Sequence, residues 1–144
     1  MCDYTRPMRR ALPVLLVPLL LLAAAGCRRP AGPAETYRAL AAAARAGDAD
    51  GVWSRLSERS RQVLDERARA VSARAPSGVV PASGKDLAVG DLGAEAPRLK
   101  AVTVLRESQD AAVLGVEVEG APGRREVSLV REAGVWRVVL PFDN

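Results

Sequence analysis

The chain has 144 residues, 49% of them hydrophobic and 26% charged, with a formal net charge of +4. It contains no histidine, two cysteines, and only two Trp, two Tyr and one Phe. The missing imidazole removes the usual general base near neutral pH and the commonest metal ligand. Basic side chains alternate with acidic ones, as on a solvated surface, and Glu126 follows the doublet Arg124-Arg125 at once, so the charge does not point to a nucleic-acid partner.

At the N-terminus, Arg9-Arg10 precedes a stretch from Ala11 to Ala25 in which all 15 residues are apolar or Pro. That is short of the ~20 residues needed to span a bilayer, and Pro13 and Pro18 weaken it further as a permanent span. Ala24-Ala25-Gly26 then lead into Cys27, and Arg28-Arg29-Pro30 follow. Basic flank, apolar core and small terminal residues match a cleaved secretory segment, and the arrangement around Cys27 resembles a bacterial lipoprotein signal. The resemblance implies cleavage by signal peptidase II between Gly26 and Cys27. It also implies a diacylglyceryl thioether and an N-acyl group such as palmitate on Cys27. Ordinary secretion and an uncleaved anchor are the alternatives.

On that reading residues 1–26 are signal peptide, residues 27–33 a lipidated Cys with a short tether, and residues 34–144 one α+β domain. Removing the first 26 of the 144 residues leaves 118, and because Arg6, Arg9, Arg10 and Asp3 leave with them the net charge falls to +2. A chain of that length makes one domain. The second cysteine, Cys2, is lost too, which leaves no thiol for pairing, catalysis or zinc. A start at Met8 instead of Met1 gives the same mature protein. The expected location is the cell envelope, lipid-anchored on the outer membrane and facing the periplasm, since Arg28 stands where the retention signal of such lipoproteins has Asp.

Helical spacing predicts a first helix over Glu35–Ala46, with Tyr37, Leu40, Ala41 and Ala44 on one stripe and Gly47 as C-cap. Asp48 is placed to N-cap a second helix, Ala49–Leu56, with Val52, Trp53 and Leu56 on its buried face. Ser57 does the same for a third, Glu58–Ala75, whose Val63, Leu64, Ala68 and Val71 share a face. Between Val79 and Pro97, Gly and Pro interrupt short apolar pieces, and a brief helical turn or edge strand is expected around Leu87–Leu92. Thereafter the period changes to two, and Arg98–Arg106, Ala111–Glu119, Arg124–Glu132 and Val135–Phe142 read as strands joined by turn formers. Trp136, Val138, Leu140 and Phe142 fall on one face, and the candidate core is Leu40, Leu56, Leu64, Trp136, Val138 and Leu140. Helices first and strands after suit an antiparallel sheet covered on one side.

Two motifs carry a family resemblance across roughly Ala34–Phe142. The segment Glu35-Thr36-Tyr37-Arg38-Ala39-Leu40, followed by Arg45-Ala46-Gly47-Asp48 and Val52-Trp53-Ser54-Arg55-Leu56-Ser57, is similar to the helical start of domains like nuclear transport factor 2, ketosteroid isomerase and SnoaL-type cyclases. Val127-Ser128-Leu129-Val130-Arg131-Glu132 with Gly134-Val135-Trp136-Arg137-Val138 resembles their closing hairpin. The resemblance implies three N-terminal helices on a curved, cone-like sheet, and more narrowly the branch attached to bacterial lipoproteins. It leaves Tyr37 and Trp53 two roles, as core side chains or at the mouth of a cavity, where they would touch a ligand or partner.

Catalytic chemistry is poorly represented. No phosphate-binding glycine loop occurs, and Asp48 and Asp50 lack the alternating oxygen ligands of a calcium loop. An isomerase would need a carboxylate base in an apolar cavity with a donor opposite, for which Glu117, Glu119 and Glu126 are the candidates. The expectation is therefore a tethered, non-enzymatic binding or accessory domain without metal or cofactor. Its partners would be the bilayer, through acylated Cys27, and an envelope protein or small ligand. A carboxylate-using enzyme and a purely structural envelope protein are the alternatives.

Overall fold

A computed structural model describes residues 29–74, 83–94 and 98–142. The signal run, Cys27 and the Pro76–Pro81 segment lie outside the described residues. Four helices, α1 (Pro33–Ala46), α2 (Ala49–Trp53), α3 (Glu58–Ser72) and α4 (Gly84–Ala94), precede four strands, β1 (Leu99–Glu107), β2 (Ala111–Val118), β3 (Arg125–Glu132) and β4 (Val135–Val139). Among the described residues, no helix is long and apolar enough to cross a membrane.

Helix ends follow from local chemistry. Pro33 opens α1, where its missing N–H costs nothing, and the Glu35 carboxylate accepts the Gly32 N–H at 3.0 Å. At the far end Gly47 takes φ +68°, a left-handed conformation open to glycine at no steric cost. Asp48 accepts the Gly51 N–H at 2.9 Å and starts α2. The start of α3 is capped twice: Ser57 Oγ accepts the Ser60 N–H, and Glu132 reaches across from β3 to accept the Glu58 N–H at 3.0 Å.

The sheet is an antiparallel meander in the order β1-β2-β3-β4. Its inner face carries Ala112, Leu114, Val116 and Val118 from β2, Leu129 from β3, and Trp136 and Val138 from β4, all buried. Helix α1 lies on this face, and α4 packs across α1, α2 and α3. Leu40, Leu56 and Leu64 complete the core, whereas Leu140 is half-buried and Val71, at the end of α3, is exposed. Two register shifts in β1 leave Lys100 and Leu105 without a partner on β2.

The cone-like arrangement expected from the nuclear transport factor 2-like resemblance is overturned. The α+β class stands, but the sheet is open and neither curls nor closes, and the helices among the described residues number four rather than three. The physical reason lies at β4. This strand has only five residues, and its outer edge is occupied by the α2–α3 junction. Val138 N–H donates to Arg55 O at 2.8 Å, and Ser57 N–H donates to Val138 O at 2.9 Å. Leu140 N–H then donates to Ser60 Oγ at 3.0 Å, and Pro141 has no N–H to give. The fourth strand thus stops at Val139 rather than Phe142, with no ladder left to wrap the sheet around the helices.

The extra helix, α4, replaces the short turn or edge strand expected around Leu87–Leu92. Three glycines, Gly84, Gly90 and Gly93, make it a poor helix by propensity, and tertiary contacts override that. Ser83 Oγ accepts the Asp86 N–H and donates to the Asp86 carboxylate at 2.7 Å, while Gly84 N–H donates to the Asp65 carboxylate at 3.1 Å. Ala88 is 1% exposed. Gly84 permits the close approach of α4 to α3, because a Cβ there would sit 2.5 Å from Asp65 N and 2.7 Å from the Leu64 carbonyl carbon. Backbone cannot step aside as a side chain can. Gly84→Ala is therefore expected to destabilise the domain by about 1–3 kcal/mol, the usual cost of overpacking, measurable by chemical denaturation.

Candidate functional site

The stripe on α1 does more than fill the core. Tyr37, Leu40, Ala41 and Ala44 form one wall of a cavity of about 360 Å³. Asp91 and Leu92 of α4 form a second wall, and β3 with the exit of β4 forms the third. The volume falls within the roughly 300–1,000 Å³ typical of small-molecule sites.

The cavity exists because β4 leaves the sheet early. The β3–β4 ladder ends at Ser128↔Val139, and Leu140 turns toward Ser60 on α3. Residues Arg125–Val127 of β3 therefore have no strand beside them on that side. Arg131 N–H points toward β2, where it donates to Asp110 O. By alternation, the even-numbered residues of β3 aim their amides toward β4. Glu126 lies beyond the last β4 partner, so its backbone N–H and C=O face the cavity. Its carboxylate goes to the opposite face of the sheet and meets Arg106 at 3.3 Å.

Arg125 is in phase with Val127 and Leu129, and its partner across the ladder is Val116 on the inner face. Its guanidinium thus belongs to the helix side of the sheet, at the edge of the apolar wall, and makes no ion pair or hydrogen bond among the described residues. Tyr37 stands within its electrostatic reach. Burial pushes the Tyr37 phenol above its ordinary pKa, and the Arg125 charge draws it partly back. At neutral pH the phenol is protonated and able to donate, and its hydroxyl has no hydrogen-bond partner among the described residues.

Of the two residues expected at a cavity, Tyr37 lines this one, whereas Trp53 packs on the core from the end of α2 and does not border it. Leu40, Val138 and Leu140, read as core from sequence, also line it. Glu117 and Glu126 point to the outer face of the sheet, and Glu119 lies exposed in the turn after β2. The three carboxylates therefore do not converge. Among the described residues there is no group of three or more His, Cys, Asp or Glu placed to hold a metal ion. A second recess, of about 400 Å³, lies at the β2–β3 turn between Lys100, Glu117 and Arg124; the turn residues Ala121, Pro122 and Gly123 complete its walls.

The sequence reading missed Arg125, Asp91 and the backbone of Glu126. A signal for Arg125 was present, since a charge sits in phase with the apolar residues Val127 and Leu129. Asp91 and the Glu126 backbone had no such signal, because they depend on α4 and on where β4 stops. The chain matches no family model, no curated protein and no solved structure.

Proposed function

We propose that this is a lipid-anchored domain of the bacterial envelope that binds a small ligand and has no catalytic role of its own. The observation that carries the reading is the apolar cavity between α1, α4 and β3, with the Tyr37 phenol and the Arg125 guanidinium at its polar end. A few convergent polar groups in an otherwise apolar recess are what a binding site needs to orient a ligand. The anchor rests on the sequence alone, on the apolar run and small residues before Cys27. Five residues, and so six Cα–Cα steps, separate Cys27 from Pro33, the first residue of α1. A fully extended chain of that length reaches at most about 20 Å, so the anchor would hold the cavity close to the leaflet. Tethering raises the effective concentration of any surface-confined ligand.

The test is native mass spectrometry of the protein extracted from its own membranes. The expected result is a non-covalent adduct near one per chain on the wild type, absent from Ala41→Leu, whose larger side chain fills the cavity from the α1 wall. A wild-type chain carrying no adduct, or an adduct retained by Ala41→Leu with the fold intact, would remove the reading.

A further inference from the structure

We infer that the cavity selects a monoanionic amphiphile, a carboxylate head on one short apolar chain, and that Arg125, Tyr37 and the Glu126 backbone N–H receive the head. The inference rests on the binding role proposed above and specifies its ligand.

Three donors border the cavity: Tyr37, Arg125 and Glu126 all belong to its lining, and the Arg125 charge acts on the Tyr37 phenol. The Arg125 guanidinium is a permanent cation without an ion pair among the described residues, although Glu126 is its neighbour in sequence; that carboxylate is held on the other face of the sheet by Arg106. The Tyr37 hydroxyl is a donor with no acceptor among the described residues, and the Glu126 amide lies past the end of the β3–β4 ladder. A carboxylate supplies two acceptor oxygens and a charge opposite to that of Arg125, and charge-assisted hydrogen bonds of this kind are stronger than neutral ones. From the donors the walls run apolar, through Leu40, Ala44, Leu92 and Leu140. That is the environment for an alkyl chain and not for a second charge.

Volume limits the chain. At about 360 Å³ the cavity stands at the small end of ligand sites, which suits a single short tail and excludes a phospholipid with two. Two acids line the cavity: Glu126 pairs with Arg106, whereas Asp91, on the α4 wall, makes no ion pair among the described residues. Asp91 disfavours an anion seated near α4, so the head is directed to the β3 side. A site built for a cation would invert this, with the acid among the donors and the guanidinium remote.

The experiment uses the full-length protein in phosphatidylcholine vesicles. It is irradiated with octanoate, octanol or octylamine, each carrying a diazirine at the tail, and the adducts are mapped by peptide mass. Octanoate is expected to label the α1 and β3 peptides that line the cavity, and to do so more strongly than octanol or octylamine. Arg125→Gln should lower octanoate labelling by about tenfold, the loss of one charge-assisted hydrogen bond. Arg125→Lys should restore part of it, and Asp91→Asn should raise it. Circular dichroism checks that each variant is folded. Equal labelling by octanoate and octanol, indifferent to Arg125→Gln, would overturn the carboxylate assignment and leave a binding cavity blind to charge. Labelling of the cavity by none of the three probes would overturn the binding reading with it.

Discussion

Trp136→Ala is expected to destabilise the domain by about 3–5 kcal/mol, the usual cost of truncating a large buried aromatic residue. The indole is 2% exposed and sits on the inner face of β4, between the sheet and the helices. It is one of only five aromatic residues in the chain and, among the described residues, the aromatic side chain that is buried within the core, whereas Tyr37, Trp53 and Phe142 pack against it partly buried. Arg131, its partner across the β3–β4 ladder, places its guanidinium 5.0 Å from the ring centroid. That cation–π contact is worth about 0.5–1 kcal/mol at a site open to water. Arg131→Gln should therefore lower stability by no more than about that amount, which separates the contact from the packing. A domain of this size has a total stability of about 5–15 kcal/mol, so Trp136→Ala consumes a large part of it. Denaturant titration at constant slope is the measurement, and a loss below about 1 kcal/mol would show that the site collapses around the missing ring.

On the proposed anchoring, Cys27→Ala is expected to abolish acylation and membrane retention while leaving the domain folded. Each buried methylene contributes roughly 0.8 kcal/mol to membrane binding, and one chain alone holds only marginally. Two or three chains on Cys27 therefore make the attachment effectively permanent, and their loss removes it altogether. The core residues of the domain, from Leu40 to Val138, all lie beyond Cys27 in the chain. Mass analysis of the wild-type N-terminus, together with detergent phase partitioning of both forms, reads the result. An unmodified wild-type Cys27 would overturn the anchor while leaving the cavity and its test untouched.

The local signals in the chain were largely legible. Gly47 and Asp48 form the C-cap and N-cap that their spacing suggests, because both act on backbone groups within four residues of themselves. Ser57 does the same for α3. The period of two after Leu99 marks the strands, since alternation follows from the pleat alone. The α4 start also had a readable sign that was overlooked. Ser83 and Asp86 stand three apart, and Ser83 Oγ accepts the Asp86 N–H as an N-cap does while donating to its carboxylate, but the Gly and Pro around them suggested no more than a brief helical turn or edge strand.

By itself the sequence determined most of the helices and strands, α4 excepted, where most of them begin, and most of the residues that face inward, because those properties are set by side chains near one another along the chain. The shape of the sheet and the cavity were decided elsewhere. Whether β4 continues past Val139 depends on Arg55, Ser57 and Ser60, some 80 residues earlier for the last of them. No periodicity within 135–142 records that these groups take its amides and carbonyls. An alternating strand reads the same in an open meander as in a cone, so the resemblance to cone-shaped domains was carried by elements common to both. Helix α4 likewise exists through the close approach that Gly84 allows to Asp65 and Leu64, a contact invisible to propensity. The cavity is the joint product of these two events. A strand that ends early and a helix that propensity disfavours leave between them the space that Tyr37 and Arg125 line.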